Sequence, residues 1–437
     1  MSAVRVAPGL GRRPGGWPGL AGAARPAAPR ATVQATLRAT VQATLQAAWR
    51  SAPLAALLPA LLCSGAASAA GFKATLILRD DDPRLERSRT DRPALGQPGG
   101  TVAAGLALAL QDSKLELDAA GATLLLDTVR VASAAAAKDA AGKAEWGGAV
   151  ALLADLPADW LLAAADGSKL PLLNLGEPAD RLREQDCRPR LWHVLPSDRM
   201  RADALAQTLA ARRWAQVLLL VGPLPADQAR AASARAAIKR YGLKLVAEKP
   251  FKLSADPRER DLANPLLLTG TAAAGGYDAV WVVDADGEFA RTLPYRTALP
   301  RPVVGDAGLV ALAWHASFDR FGAPQISRRF AKAAGRPMTG QDWAAWLAGR
   351  ALVGAAVAAP KGPAPAFQNA LIEGELDGSK GVTMAFRPWD GQLRQPMLLG
   401  DGVSVVATAP VDGILHPKNA LDTLGADAPE KLCKARP

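Results

Sequence analysis

Beyond residue 72 the chain alternates short apolar runs with longer segments in which apolar residues recur every three or four positions. Uninterrupted apolar runs fit strands buried on both faces, and the three-to-four spacing fits helices with one buried face. Residues 74–80 (ATLILRD), 122–131 (ATLLLDTVRV), 148–155 (GAVALLAD) and 170–176 (LPLLNLG) therefore read as strands. Helices are predicted between them, at 99–112, 133–144 and near 159–165.

The pattern then restarts. A strand at 190–196 (RLWHVLP) leads into a helix that Ser197 or Asp198 can cap, because a short side-chain oxygen accepts from the free N–H groups of the first turn. Strands at 215–223, 243–251, 277–286 and 301–310 follow, with a helix over 226–242. Two successive series of this kind predict two similar α/β lobes, each a mostly parallel sheet flanked by helices. Farther on, 328–358 reads as two helices broken at Gly335-Arg336-Pro337, with Trp343, Trp346 and Leu347 at core spacing. Residues 382–400 read as a hairpin turning at Asp390-Gly391, 401–410 as one more strand, and 411–437 as a loosely ordered tail.

The first 70 residues differ in kind. Arg50, the apolar stretch Ala52–Leu62 and the small residues Ala67-Ser68-Ala69 have the order of a secretory signal peptide, with cleavage expected near Ala69. Ahead of it, 1–49 is rich in Ala, Pro and Arg and carries a tandem repeat, ATVQATLR then ATVQATLQ; translation is expected to begin nearer Arg50. This segment also changes how the charge is read. The formal net charge is +11, but seven arginines and no acid lie in residues 1–70, which leaves 45 basic residues against 41 acidic ones. A nucleic-acid binder keeps its basic stripe on the folded domain, so no nucleic-acid partner is expected. Past the leader only Cys187 and Cys433 remain; in an oxidising compartment they can form one disulfide or stand as two free thiols.

Candidate chemistry is sparse. Neither a G-x-S-x-G elbow, a phosphate-binding P-loop nor a G-x-G-x-x-G turn is present, and His193, His315 and His416 lack metal-ligand spacing. No enzyme activity, metal or cofactor is expected. Trp314 and His315 form a neighbouring pair suited either to a ligand cleft or to a buried boundary. Asp284 and Asp286 end the strand VWVVDAD, where ligands approach parallel sheets, although an acid there can equally cap the next helix.

The order of elements resembles the type I periplasmic binding proteins, the branched-chain amino-acid receptor class, over roughly residues 72–425. Segments such as DCRPRLWHVLPSDRMRADALAQTLAARRW, YDAVWVVDADGEFARTLPYRT, PRPVVGDAGLVALAWH, FGAPQISRRF and FRPWDGQLRQPMLL are similar to one subgroup. These are the ABC transporter substrate-binding proteins associated with pyrroloquinoline-quinone-dependent alcohol dehydrogenase systems. The resemblance implies a two-lobed fold with three interlobe crossings, a periplasmic monomer, a small-molecule solute and an inner-membrane ABC permease as partner. It implies lobe 1 at 71–192 and 323–392, lobe 2 at 193–322 and 393–425, and a tail at 426–437, with hinges near 189–196, 321–327 and 391–396. Gly222, Asp284 and Asp306 correspond by position to cleft loops. The loops 154–160 and 174–186 lack Ser and Thr, which amino-acid receptors of this fold use, so a free α-amino acid is not the expected ligand. Asn174 and Asp180 are the polar candidates there, with Glu177 and Arg183 expected on the solvated surface. The alternative is a sensing or docking module for a membrane sensor or the dehydrogenase.

Overall fold

Strand β1 (Ala70–Arg79) of the computed structural model shows why its sheet is covered on both faces: Leu76 and Leu78 point into one core and Ile77 into another. The structure describes residues 70–90, 95–254, 256, 258, 264 and 276–436, so the expected leader lies outside the described residues. After β1 come α1 (Pro83–Thr90), α2 (Ala103–Asp112), α3 (Lys114–Ala120), β2 (Ala122–Val131), α4 (Ala134–Trp146), β3 (Ala151–Asp155), α5 (Ala158–Asp166), β4 (Leu172–Asn174) and β5 (Leu191–His193). The five strands pair in parallel in the order β2-β1-β3-β4-β5. Helix α4 lies close on the sheet because its inner face is alanine, at 137, 140, 141 and 144; Ser133 starts it by accepting from the Ala136 N–H.

The second sheet repeats the plan. Helix α6 (Asp198–Ala211) is followed by β6 (Gln216–Val221), α7 (Pro225–Arg240), β7 (Lys244–Pro250), β8 (Ala279–Val283) and β9 (Val303–Gly305). These strands are also parallel, ordered β7-β6-β8-β9. Along β8, Ala279, Trp281 and Val283 face one core while Val280 and Val282 face the other. Of the two candidate caps for α6 it is Ser197 that accepts from the Met200 N–H, at 3.2 Å.

The expected strand at 301–310 is in fact two. Chain direction changes at Gly308, which has φ +66° and whose missing Cβ would lie 2.1 Å from the Val303 carbonyl oxygen. Beyond it β10 (Val310–Leu312) joins β13 (Met397–Gly400) and β14 (Val405–Ala409) in a separate antiparallel sheet. That sheet lies between the lobes: Val310, Leu312 and Leu398 enter the first core, and Ala311, Met397 and Leu399 the second.

Between β10 and β13 the chain returns to the first core through α8 (Ala323–Ala334), α9 (Gly340–Ala358) and α10 (Ala364–Glu373). Helix α9 packs along α2 and buries Trp343, Trp346 and Leu347, and α8 ends at Gly335 as the sequence indicates. The turn at Asp390-Gly391 is present, with the Asp390 carboxylate accepting from the Gln392 N–H. Its arms do not form a hairpin beyond one bridge, Phe386 to Leu393. β12 (Thr383–Met384) pairs instead with β11 (Leu376–Asp377), and β13 crosses to the intermediate sheet. The tail also departs from expectation. It is irregular yet anchored: Leu424 is buried in the second core, the Trp389 Nε1–H donates to the Ala426 carbonyl, and Cys433 is disulfide-bonded to Cys187.

Candidate ligand-binding cleft

In open parallel sheets the carboxyl ends of the strands leave a crevice, because the loops that follow diverge to opposite faces. Here the ends of both sheets border the same space, within one compact unit of the chain. Residues after β1 and β4 (Arg84; Gly176 to Arg181) and the exposed face of α7 line a cavity of about 920 Å³. A side chamber of about 120 Å³ lies at the ends of β8 and β9, lined by Trp281, Asp284, Gly305 and Asp306. Gln97, Asp198, Arg201 and Arg230 line both.

Most arginines in this cleft are already paired with a carboxylate of the chain. Arg84 bonds Asp82 at 2.6 Å and Asp155 at 2.8 Å, Arg181 pairs with Asp159 and Asp186, and Arg199 bonds Glu430 at 2.6 Å. Arg230 is bonded to Asp306, whose other oxygen accepts from the Asp284 N–H at 2.7 Å. Arg201 is the exception. Its nearest carboxylate oxygen, Asp198 Oδ1, is 3.8 Å away, beyond hydrogen-bonding length, and lies 3.7 Å from Arg230 as well. Burial and the neighbouring Arg230 act on the Arg201 guanidinium to lower its pKa, opposed by Asp198. Arg201 Nε and Asp198 Oδ1 are buried without a hydrogen-bond partner, as are Asp284 Oδ1 and Gln341 Oε1 on the same walls.

Several contacts span the cleft. Ser233 Oγ on α7 donates to Asp180 Oδ2 at 2.5 Å, the Arg199 N–H donates to Asp180 Oδ1 at 2.8 Å, and Gln97 Nε2 donates to the Ala285 carbonyl at 3.3 Å. Burial and Asp198 push the Asp180 carboxyl above the usual range, and burial does the same to Glu177.

The sequence-derived candidates separate into two groups. Asp180, Asp284 and Asp306 come together on the cleft. Asp284, rather than Asp286, accepts from the Ala290 N–H and so holds the turn after β8. Gly222 follows β6 where a Cβ would sit 2.2 Å from Asp227 Oδ2, the carboxylate that organises the start of α7. The others lie away from it. Asn174 is fully buried; its amide donates to the Glu177 carbonyl and to His193 Nδ1. Trp314 is stacked on Trp343 in the first core, and His315 donates from Nε2 to the Asp401 carbonyl at 3.0 Å.

Arg183, expected on the surface, is buried. It donates to Gln392 Oε1, to the carbonyls of Glu177 and Ala179, and to that of Leu195. Burial pushes its pKa down to about 10, so it stays cationic at neutral pH. Around it the crossing segments are stitched together: Gln392 Nε2 donates to the His193 and Leu195 carbonyls, and Gln395 Nε2 to that of Val194. His193 is held well below its ordinary pKa by burial, then by Arg183 and Arg436; as a neutral ring it donates from Nε2 to the Leu182 carbonyl.

The residues that sequence reasoning missed are Arg201, Arg230, Ser233, Gln97 and Gln341. Asp198 was read as a cap. Its spacing to Arg201 places both on the first turn of α6, but only the position of α6 directly after a crossing segment turns that face towards the cleft. Among the described residues no group of three or more His, Cys, Asp or Glu is placed to hold a metal. No described helix is long and apolar enough to cross a membrane.

Two parallel sheets with their strand ends on one cleft, joined by crossing segments, define the architecture. The fold is that of the type I periplasmic binding proteins. A periplasmic binding protein from Burkholderia mallei superposes with a TM-score of 0.60 at 15% identity, covering 84% of this chain and 99% of its own. A branched-chain amino acid ABC transporter periplasmic ligand-binding protein from Burkholderia xenovorans LB400 gives 0.61 at 16% identity, covering 77% and 95%. A solute-binding protein of an ABC transporter from R. palustris, in complex with benzoate, gives 0.56 at 15%, again covering 77% and 95%. These structural neighbours are binding proteins, not enzymes. No protein-family model matches the chain, and no curated protein matches its sequence.

Proposed function

We propose that this chain is the periplasmic solute-binding component of an ABC transporter. It captures a small solute between its lobes, closes on the three crossing segments and presents the closed form to an inner-membrane permease. The observation that carries the reading is the cavity of about 920 Å³ between the strand ends of both sheets, with buried polar atoms on its walls that have no partner in the chain. A polar atom buried without a partner costs free energy, and a ligand that supplies the partner recovers it. No bond needs to be broken for this. The segments that resemble the pyrroloquinoline-quinone-associated subgroup support a role beside periplasmic alcohol oxidation, as a monomer.

A thermal-shift screen of the purified protein against alcohols, aldehydes, carboxylates, amino acids and pyrroloquinoline quinone tests the reading. A ligand that binds only the folded form stabilises it by about 2.7 kcal/mol at a hundredfold excess over its dissociation constant. One responding class supports solute capture. No response to any class transfers the reading to a sensing or docking module.

A further inference from the structure

Among the described arginines that line the cleft, Arg201 alone has no carboxylate within hydrogen-bonding distance. Arg84, Arg181, Arg199 and Arg230 each have a carboxylate within hydrogen-bonding distance, whereas Arg201 approaches only Asp198, at 3.8 Å. Its side chain is 21% exposed, and it lines both the main cavity and the side chamber, so its free edge borders the space a solute would fill. The first turn of α6 adds the partial positive charge of a helix N-terminus on the same side. Two acceptors without donors, Asp284 Oδ1 and Gln341 Oε1, stand on the same walls. The apolar part of the lining is aliphatic, with alanines of α7, three prolines and valines at the end of β8, and Trp281 is the one aromatic ring among the described lining residues.

We propose that Arg201 is the anion receptor of this cleft and that the captured solute is a small aliphatic hydroxycarboxylate. The carboxylate bonds the planar guanidinium, which suits two parallel N–H···O bonds, and the hydroxyl donates to one of the free acceptors. Asp198 is the internal competitor. It holds Arg201 loosely while the cleft is empty and is displaced when a better anion arrives. An aromatic acid finds only Trp281 to stack on among the described lining residues, at the side chamber.

This inference rests on the solute-binding reading, and calorimetric titration of the full protein separates the two. The probes are glycolate, L-lactate, D-glycerate and L-malate, with L-lactamide as a neutral match and benzoate as an aromatic acid. One or more hydroxy acids are expected to bind, with L-lactamide and benzoate at least about tenfold weaker. Arg201→Met is expected to weaken that binding about a hundredfold and Arg201→Lys about tenfold, as for loss of a charge-assisted bidentate pair. Asp198→Asn, which removes the competitor, is expected to tighten binding about threefold. This gain does not follow if Arg201 only supports the fold, and it stays measurable if Arg201→Met fails to fold. Equal binding of L-lactamide, binding of benzoate alone, or hydroxy-acid binding unchanged in Arg201→Met and Asp198→Asn overturns the assignment and leaves solute capture standing. No binding by any probe here or any class in the thermal screen overturns both.

Discussion

The crossing segments and the cleft are built from the same residue types and are opposite in how their polar atoms are treated. At the hinge, Arg183, Gln392 and Gln395 spend their hydrogen bonds on the carbonyls and side chains of the crossing segments, deep in the protein. A few residues farther along the chain, Asp198 and Arg201 face each other across 3.8 Å without a hydrogen bond. On the proposed reading this contrast is functional: crossing segments whose polar groups are satisfied in the chain can bend without coming apart, and cleft atoms left unpaired remain for a ligand. One candidate, Asn174, that looks like a site residue in the sequence belongs to the first category, bonded to the Glu177 carbonyl and His193.

The comparison predicts where substitutions cost stability. Arg183→Met should have the largest effect, a loss of about 3–5 kcal/mol in urea unfolding, because it strands several buried carbonyls at once. A loss near zero would mean that the hinge network is not what holds the crossings together. Removing the Cys187–Cys433 link should come next. It closes a separation of 246 residues and pins the tail behind the hinge, so Cys433→Ser or reduction is expected to cost about 2–5 kcal/mol. Differential scanning calorimetry with and without reductant measures this, and coincident transitions would place the tail outside the cooperative unit.

A pH test follows. Asp203, on the α6 face away from the cleft, is bonded to Arg240 and the Gly425 N–H, and burial pushes its carboxyl up to about 6. The native state thus takes up its proton at higher pH than the unfolded chain does, so protonation favours the fold. Wild type should gain up to about 3 kcal/mol relative to Asp203→Asn as pH falls from about 7 to about 4. Unfolding midpoints of both proteins across that range settle the point, and a constant difference would remove Asp203 as the titrating group. The smallest effect belongs to the cleft. Ser233→Ala removes one interlobe hydrogen bond, costs under about 1 kcal/mol of stability and shifts the lobes towards an open form, detectable by small-angle scattering. A stability loss as large as that at the hinge would erase the contrast between the two regions.

Much of the fold was legible before the structure. The strands at 74–80, 122–131 and 215–223, the helices between them and the break at Gly335 lie where apolar period and breakers place them, although the strand at 122–131 is a largely exposed edge strand rather than one buried on both faces. The misreadings share one cause. Residues 301–310 read as one strand, yet the chain divides at Gly308 because β9 and β10 serve different sheets, and a hydrophobic pattern carries no record of which sheet receives a strand. The tail is polar and looks loose, but a disulfide and two buried leucines anchor it from far along the chain.

The site divides in the same way. Asp284 was found because strand ends in a parallel sheet are cleft positions whatever the rest of the chain does, and Asp306 by its positional correspondence to the cleft loops of the family it resembles. Arg201 was not, since an arginine in the first turn of a helix is ordinarily solvated, and only the packing of α6 against the second lobe makes it a cleft residue. Arg183 was misplaced for the mirror-image reason: in the sequence it sits in a polar loop, and in the fold that loop closes over the crossing segments. Local period and turn chemistry act between near neighbours, so the sequence alone determined the elements and the two-lobed plan. Whether a given polar side chain is spent on the chain or left for a ligand depends on groups tens to hundreds of residues away, and only the tertiary structure decided that.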